Sequence, residues 1–272
     1  MVEYLLPAFF ALFLWWFSTG VVIYLDNLPV RTFRWSMAAG TGACLLGLYG
    51  VHVSSGDDSI MGAYAAFTSA LLIWAWVELS YYTNYLTGPR QQRCPPDCQG
   101  LRHFWHAIQS NIYHELAIVA LGVFIAFLTW GQANQIALWT FLVLAWMHES
   151  ARINVFLGVR NLNEEFVPEH MEFLRGFMRR RPMNMFFPFS VSVSTVALVL
   201  LVQAAIGPAV DPFMAVGFTL VATLMALAIL EHWFLVIPLP TAFLWHWGLK
   251  SREHQQQGEA VRRRTADVDT TS

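Results

Sequence analysis

Seven apolar runs separated by short polar stretches dominate the pattern along the chain, at about 4–25, 36–54, 60–86, 107–129, 136–158, 187–208 and 213–237. A helix needs roughly 20 mostly apolar residues to cross the hydrocarbon of a bilayer. The pattern therefore predicts an all-α, polytopic membrane helix bundle of about seven transmembrane helices. The first run has no basic stretch before it and no small-residue cleavage pattern before Asp26-Asn27-Leu28-Pro29, so it is expected to be retained as a helix. Residues 1–249 read as one transmembrane domain. The polar stretch 250–272, with Gln255-Gln256-Gln257 and Arg262-Arg263-Arg264, reads as a disordered tail, because it has too few apolar residues to fold alone.

The charges orient this bundle. Arg31 and Arg34 follow the first run, Arg90, Arg93 and Arg102 the third, Arg160, Arg175, Arg179, Arg180 and Arg181 the fifth, and Lys250, Arg252 and Arg262 to Arg264 the seventh. The intervening loops carry no lysine or arginine, whereas Glu3, Asp57, Asp58 and Asp211 mark that other side. By the positive-inside rule the N-terminus is outside, the tail is cytoplasmic, and the number of spans is odd. The expected location is a bacterial inner membrane, cytoplasmic or intracytoplasmic, with the lipid bilayer as the first partner. Trp35, Trp105, Trp130, Trp245 and Trp247 fall near the expected interfaces and read as anchors.

Composition agrees. Of 272 residues 56% are hydrophobic and 12% charged, with mean hydropathy +0.46, which excludes an ordinary soluble domain. No basic patch suggests nucleic acid. Cys44, Cys94 and Cys98 are too few for a disulfide framework, and the last two sit in a cytoplasmic loop, so free thiols are expected. Cys94 and Cys98 have three residues between them and His103 and His106 close behind, a spacing that leaves a zinc loop open. The long cytoplasmic loop 159–186 carries Pro168 ahead of Met171, Leu174 and Met178, which predicts a short amphipathic helix on the membrane surface. Glu165, Glu169 and His170 there read either as a cap beneath the membrane site or as a solvated face.

Ionisable residues inside the apolar runs change the picture most, because they are costly in hydrocarbon and mark function by default. They are Glu78 in the third run, His114-Glu115 in the fourth, His148-Glu149 with Arg152 in the fifth, and Glu231-His232 in the seventh. At 1.5 Å per residue all four carboxylates come to similar depth in the cytoplasmic half. Three chemistries fit. Glu78, Glu115, Glu149 and Glu231 with His114, His148 and His232 are ligand types for iron, in particular a di-iron centre, although adjacent His-Glu pairs are not the Glu-x-x-His spacing of helical-bundle di-iron proteins. A tetrapyrrole is the second, with His148 or His232 as axial ligand. The third is a polar network without chemistry, in which Glu149 pairs with Arg152 three residues on, Asn111 lies near Glu115 and Tyr81 and Tyr82 near Glu78.

With the His114-Glu115 and His148-Glu149 pairs, Arg152-Ile153-Asn154, the Asn161 to His170 loop and Glu231-His232-Trp233 in view, the chain resembles the PuhE-type photosynthetic-complex assembly proteins of purple bacteria and their relatives. The resemblance covers most of residues 1–250. It implies an inner-membrane factor of anoxygenic phototrophs that supports assembly of the reaction centre and its light-harvesting antenna and influences bacteriochlorophyll production. Its partners would then be reaction-centre or light-harvesting subunits or pigment-synthesis enzymes. The residues themselves leave two alternatives beside it. One is a membrane di-iron oxygenase or hydroxylase acting on a bacteriochlorophyll precursor or other pigment, with Arg152 orienting a carboxylate. The other is a tetrapyrrole-binding chaperone.

Overall fold

The computed structural model describes residues 2–95, 98–207, 210–238 and 241–248. The stretch read as a disordered tail lies outside the described residues. Seven α-helices account for most of what is described: α1 (Val2–Asp26), α2 (Phe33–Ser54), α3 (Ile60–Tyr82), α4 (Gly100–Leu128), α5 (Ile136–Leu157), α6 (Phe186–Ile206) and α7 (Pro212–Phe234). Six are long and apolar enough to cross a membrane. The exception is α5. Its length of about 33 Å is sufficient, but His148, Glu149, Ser150, Arg152 and Asn154 dilute its hydropathy. The protein is a polytopic membrane helix bundle.

Burial explains why α5 can be so polar. It packs against both α3 and α7, the two spans with more than half of their apolar window buried (56% each), whereas α1 and α4 are mostly uncovered (11% and 17%). The polar residues of α5 thus face protein while α1 and α4 face lipid. Phe67, Ile73, Phe141, Leu220 and Leu224 fill the centre. α2 and α3 approach closely because Gly47 presents no side chain: a Cβ there would lie 2.7 Å from the Ser69 carbonyl oxygen.

Local chemistry sets the ends. Ser59 accepts a hydrogen bond from the Gly62 N–H (3.1 Å) and Asp211 one from Met214 (2.9 Å), capping α3 and α7. Pro212 occupies the first turn of α7. The third apolar run predicts helix to about residue 86, but α3 stops at Tyr82. Asn84 adopts a left-handed conformation (φ 63°), and the chain turns back so that the Thr87 carbonyl accepts from the N–H groups of Tyr113 and His114 (2.9 and 3.2 Å). At the other end of that connection, α4 begins at Gly100, seven residues before the apolar run.

The loops sort by end as the charges predict. Asn134 donates its side chain to the Asp57 carbonyl (3.0 Å) and its N–H to Ser55 (2.9 Å), tying the α2–α3 and α4–α5 connections together. At the opposite, arginine-rich end, Arg93 pairs with Glu172 (2.5 Å) and the Asn161 N–H reaches the Leu235 carbonyl (2.9 Å). Within the 159–186 loop the longer helical stretch is a 3-10 helix, Glu169–Phe177, whose Met171, Phe173 and Leu174 pack on Val167 and Tyr81. Its apolar side is turned into the protein. His170 donates from Nε2 to the Tyr82 carbonyl (2.7 Å) and lies edge-on to Phe33.

Two further expectations need correction. Trp245 is not an interfacial anchor: the segment after α7 folds back along α1, where the Trp245 indole donates to the Trp16 carbonyl (3.1 Å) and packs edge-on against Trp15. Trp35, Trp105 and Trp130 remain exposed, as anchors should be. Cys94 and Cys98, expected as free thiols, are joined as a disulfide in this structure. A turn closed by the Cys98 N–H on the Pro95 carbonyl (2.9 Å) brings their Cα atoms to 5.9 Å. Cys44 is free and buried.

Candidate functional site

The adjacent pairs point about 100° apart around their helices, and that angle divides the ionisable residues into two groups. In the first, His114 of α4 and His148 of α5 face each other, Nε2 to Nε2, at 3.1 Å. The other nitrogen of His148, Nδ1, lies 3.0 Å from a Glu78 carboxylate oxygen on α3. A neutral His148 donating from Nδ1 to Glu78 must accept at Nε2, so His114 donates from its Nε2 and is left with a bare Nδ1 lone pair. That His114 Nδ1 is buried without a hydrogen-bond partner among the described residues. Tyr81 packs on the His114 ring (4.4 Å) and donates to Asn111 Oδ1 (2.7 Å); Trp74 stands edge-on to His148.

In the second group Arg152 joins both neighbouring carboxylates. It pairs with Glu115 across the α4–α5 contact and with Glu149, three residues back on its own helix, at 3.5 Å. The guanidinium also lies over the Tyr81 ring, 5.6 Å from its centre. The cation thereby balances two acids that could not otherwise ionise side by side.

The α7 pair is split as well. Glu231 accepts a hydrogen bond from the Trp15 indole of α1 (3.1 Å). His232 is turned away from the other histidines, with Nδ1 against the Ala228 carbonyl (2.9 Å) and Nε2 against Ser150 Oγ (2.9 Å). Both nitrogens of His148 and of His232 therefore have partners. The carboxylates of Glu115 and Glu149 are directed at Arg152, and Glu78 stands behind His148.

All four acids border one cavity of about 880 Å³, together with His148, His232 and Arg152. Its walls are largely apolar and aromatic, including Trp15, Trp74, Phe104, Phe156 and Trp245. Two of these were not legible as site residues. Trp15 sits in an unbroken apolar run, and Trp245 lies where an interfacial anchor is expected; neither has a charged sequence neighbour to signal its role. Leu174 and Phe177 of the 3-10 helix line the cavity too, and Met171 and Leu174 pack with Tyr81.

What the cluster can do follows from these contacts. The Glu78–His148–His114 chain can hold or pass a proton along two hydrogen bonds. Removing the proton between the two Nε2 atoms would leave two lone pairs 3.1 Å apart. That separation suits two neighbouring ligands of one metal ion at about 2.1 Å each, with Glu78 orienting His148 from behind.

A family model described as a protein of unknown function (DUF3623) matches residues 1–256. The chain belongs to that family. A Rhodobacter capsulatus relative, described as an uncharacterized 30.4 kDa protein in the puhA 5′ region, is 36% identical over 252 residues, covering 91% of this chain and 92% of its own. These matches agree with the PuhE-type resemblance carried by the His-Glu pairs and the Glu231-His232-Trp233 motif. No solved structure matches the chain.

Proposed function

We propose that the protein is an inner-membrane factor for assembly of the photosynthetic reaction-centre and light-harvesting complex, and that its cavity receives a tetrapyrrole pigment or pigment precursor during that assembly. A photosynthesis-related role is supported by the relative whose name places it beside puhA. The observation that carries the ligand is the cavity itself. Its volume of about 880 Å³ lies at the upper end of the roughly 300–1,000 Å³ range of small-molecule sites. Apolar, aromatic walls suit a flat macrocycle, and Arg152 gives a carboxylate substituent a cation to compete for. Binding such a carboxylate would displace Glu115 from Arg152.

The test is an absorption spectrum of membranes from a phototrophic strain lacking the gene and complemented with variants. Ala75 lines the cavity between Trp74 and Glu78, so Ala75→Phe should obstruct it. The expected result is normal amounts of the variant in the membrane with loss of most assembled complex, and loss of tetrapyrrole from the purified protein. Full assembly with the cavity obstructed would overturn the reading.

The His114–His148 contact favours a second reading, a metal-dependent oxidoreductase acting on the same class of pigment. His114 and His148 would hold the ion, which would supply redox or Lewis-acid chemistry at the cavity wall. A di-iron centre asks more of the chain, since Glu115 and Glu149 must first leave Arg152. Elemental analysis of the protein from its own membranes separates the versions. One metal ion removed by His114→Ala/His148→Ala fits the single site; two irons removed by Glu115→Ala/Glu149→Ala fits the di-iron oxygenase or hydroxylase.

A further inference from the structure

A second donor cluster lies outside the cavity, at the arginine-rich end of the bundle. Cys94 and Cys98 are brought together by the turn at Pro95, and the His106 Nδ1 on the second turn of α4 lies 3.2 Å from one sulfur and 3.3 Å from the other. The His103 Nδ1, one turn earlier on the same helix face, is 3.9 Å from the Cys98 sulfur. Among the described residues, Cys94, Cys98 and His106 are also the only set of three or more His, Cys, Asp or Glu side chains whose donor atoms all lie within 4.8 Å of one another.

We infer that Cys94, Cys98, His103 and His106, with both thiols reduced, form a tetrahedral zinc site that pins the α3–α4 connection to the start of α4. Three observations on different links of the chain point the same way. The donor set is two thiolates and two imidazoles, the composition of closed structural zinc sites. Bonds of about 2.3 Å to sulfur and 2.05 Å to nitrogen, at a tetrahedral angle, put sulfur and nitrogen roughly 3.5 Å apart. The three nitrogen–sulfur distances of 3.2, 3.3 and 3.9 Å bracket that value. Finally, Arg90, Arg93 and Arg102 assign this connection to the cytoplasmic side, where thiols stay reduced. Binding then requires the disulfide to be reduced to two thiols and the sulfurs to separate to the spacing of two zinc ligands.

The position gives the site a purpose. The His103 ring is held between Phe156 of α5 and Phe177 of the 3-10 helix, at 5.4 and 5.5 Å. Both phenylalanines line the cavity. A metal on His103 therefore fixes the cytoplasmic wall of the cavity while leaving its ionisable groups untouched.

The experiment uses the full chain in mild detergent with a thiol reductant and one equivalent of Zn²⁺, or Co²⁺ as an optical probe. The expected result is one tightly held zinc per chain, and a cobalt spectrum with thiolate charge-transfer absorption and tetrahedral visible bands. His106→Ala should weaken retention at least tenfold, and Cys94→Ser/Cys98→Ser should abolish both signals. His114→Ala/His148→Ala should leave both unchanged, which separates this site from any ion in the cavity. Two outcomes overturn the inference: a reduced wild-type chain that binds neither probe, or Cys94 and Cys98 in unbroken membranes that resist alkylation until a reductant is added.

Discussion

Two polar regions inside the bundle obey the same rule about buried hydrogen bonds and differ in what they leave over. At the α5–α6 seam, Asn154 donates to the Ser150 carbonyl (2.9 Å) and to Ser190 Oγ (3.1 Å), while Asn184 donates to the Asn154 side chain and carbonyl (3.1 Å each) and to the Gly158 carbonyl (3.0 Å). The Asn184 oxygen caps α6 by accepting from Phe186 and Phe187. Every group is neutral and buried, and its capacity is used up within the protein. Across α5, Glu78, His148, Glu115, Glu149 and Arg152 are charged or chargeable and open onto a cavity. Polar residues at membrane depth are glue when their partners saturate them and a site when they face a space.

The sharpest way to break that distinction is to remove Arg152. Arg152→Met leaves Glu115 and Glu149 facing each other in a poorly solvated place without their cation. Losing one partner of a buried ion pair costs about 3–5 kcal/mol. Because the pair is about a quarter exposed toward the cavity, a loss near the lower end, about 3 kcal/mol, is expected in detergent unfolding. Adding Glu115→Gln should recover much of it by removing one of the opposed charges. If the triple cluster is merely glue, assembly of the photosynthetic complex should recover along with stability; if it is a site, stability should return and assembly should not.

A smaller effect is expected at the seam. Asn154→Leu keeps the volume but strands the Asn184 side chain and Ser190, a cost of about 1–3 kcal/mol for unsatisfied buried groups. It should lower the unfolding midpoint while leaving assembly per folded molecule, read as complex absorbance against immunoblotted protein, unchanged. A fall in that ratio would place the seam inside the functional region and erase the contrast.

Much of the helix plan was legible, because lipid-facing helices must be apolar along their whole length and the arginines fall on alternate connections. Helix ends were less so. The early stop of α3 depends on Asn84 and on a carbonyl of Thr87 that finds its donors on another helix, a non-local fact. The early start of α4 uses His103 and His106, polar residues that a hydropathy window reads as loop. Within the site, similar depth of Glu78, Glu115, Glu149 and Glu231 followed from rise per residue alone. Their division into a histidine chain and an arginine bridge did not, because rotation about the helix axis leaves depth unchanged. His232 shows the limit most clearly: next to Glu231 in sequence, it packs against Ser150 rather than the other histidines. Trp15 was invisible for the opposite reason, since an indole in an apolar run carries no mark of the carboxylate it will meet.

The smallest expected effect concerns the cover of the cavity. His170 is held by the Tyr82 carbonyl and the Phe33 ring, and burial pushes it below its ordinary value of 6.5, with the Tyr82 contact opposing in part. Freed from the fold, His170 regains that ordinary value, so on acidification the released loop takes up its proton before the docked loop does. The stabilising contribution of docking is thus full above pH 6.5 and is lost as pH falls through the lower docked value. Amide exchange across Glu169–Phe177, corrected for its intrinsic pH dependence, should quicken as pH drops from about 7.5 to about 5.5, and His170→Gln should flatten the response. The same slope in His170→Gln would move the sensitivity to another group. A flat profile in both proteins would make the loop a fixed part of the cavity wall, as saturated as the α5–α6 seam.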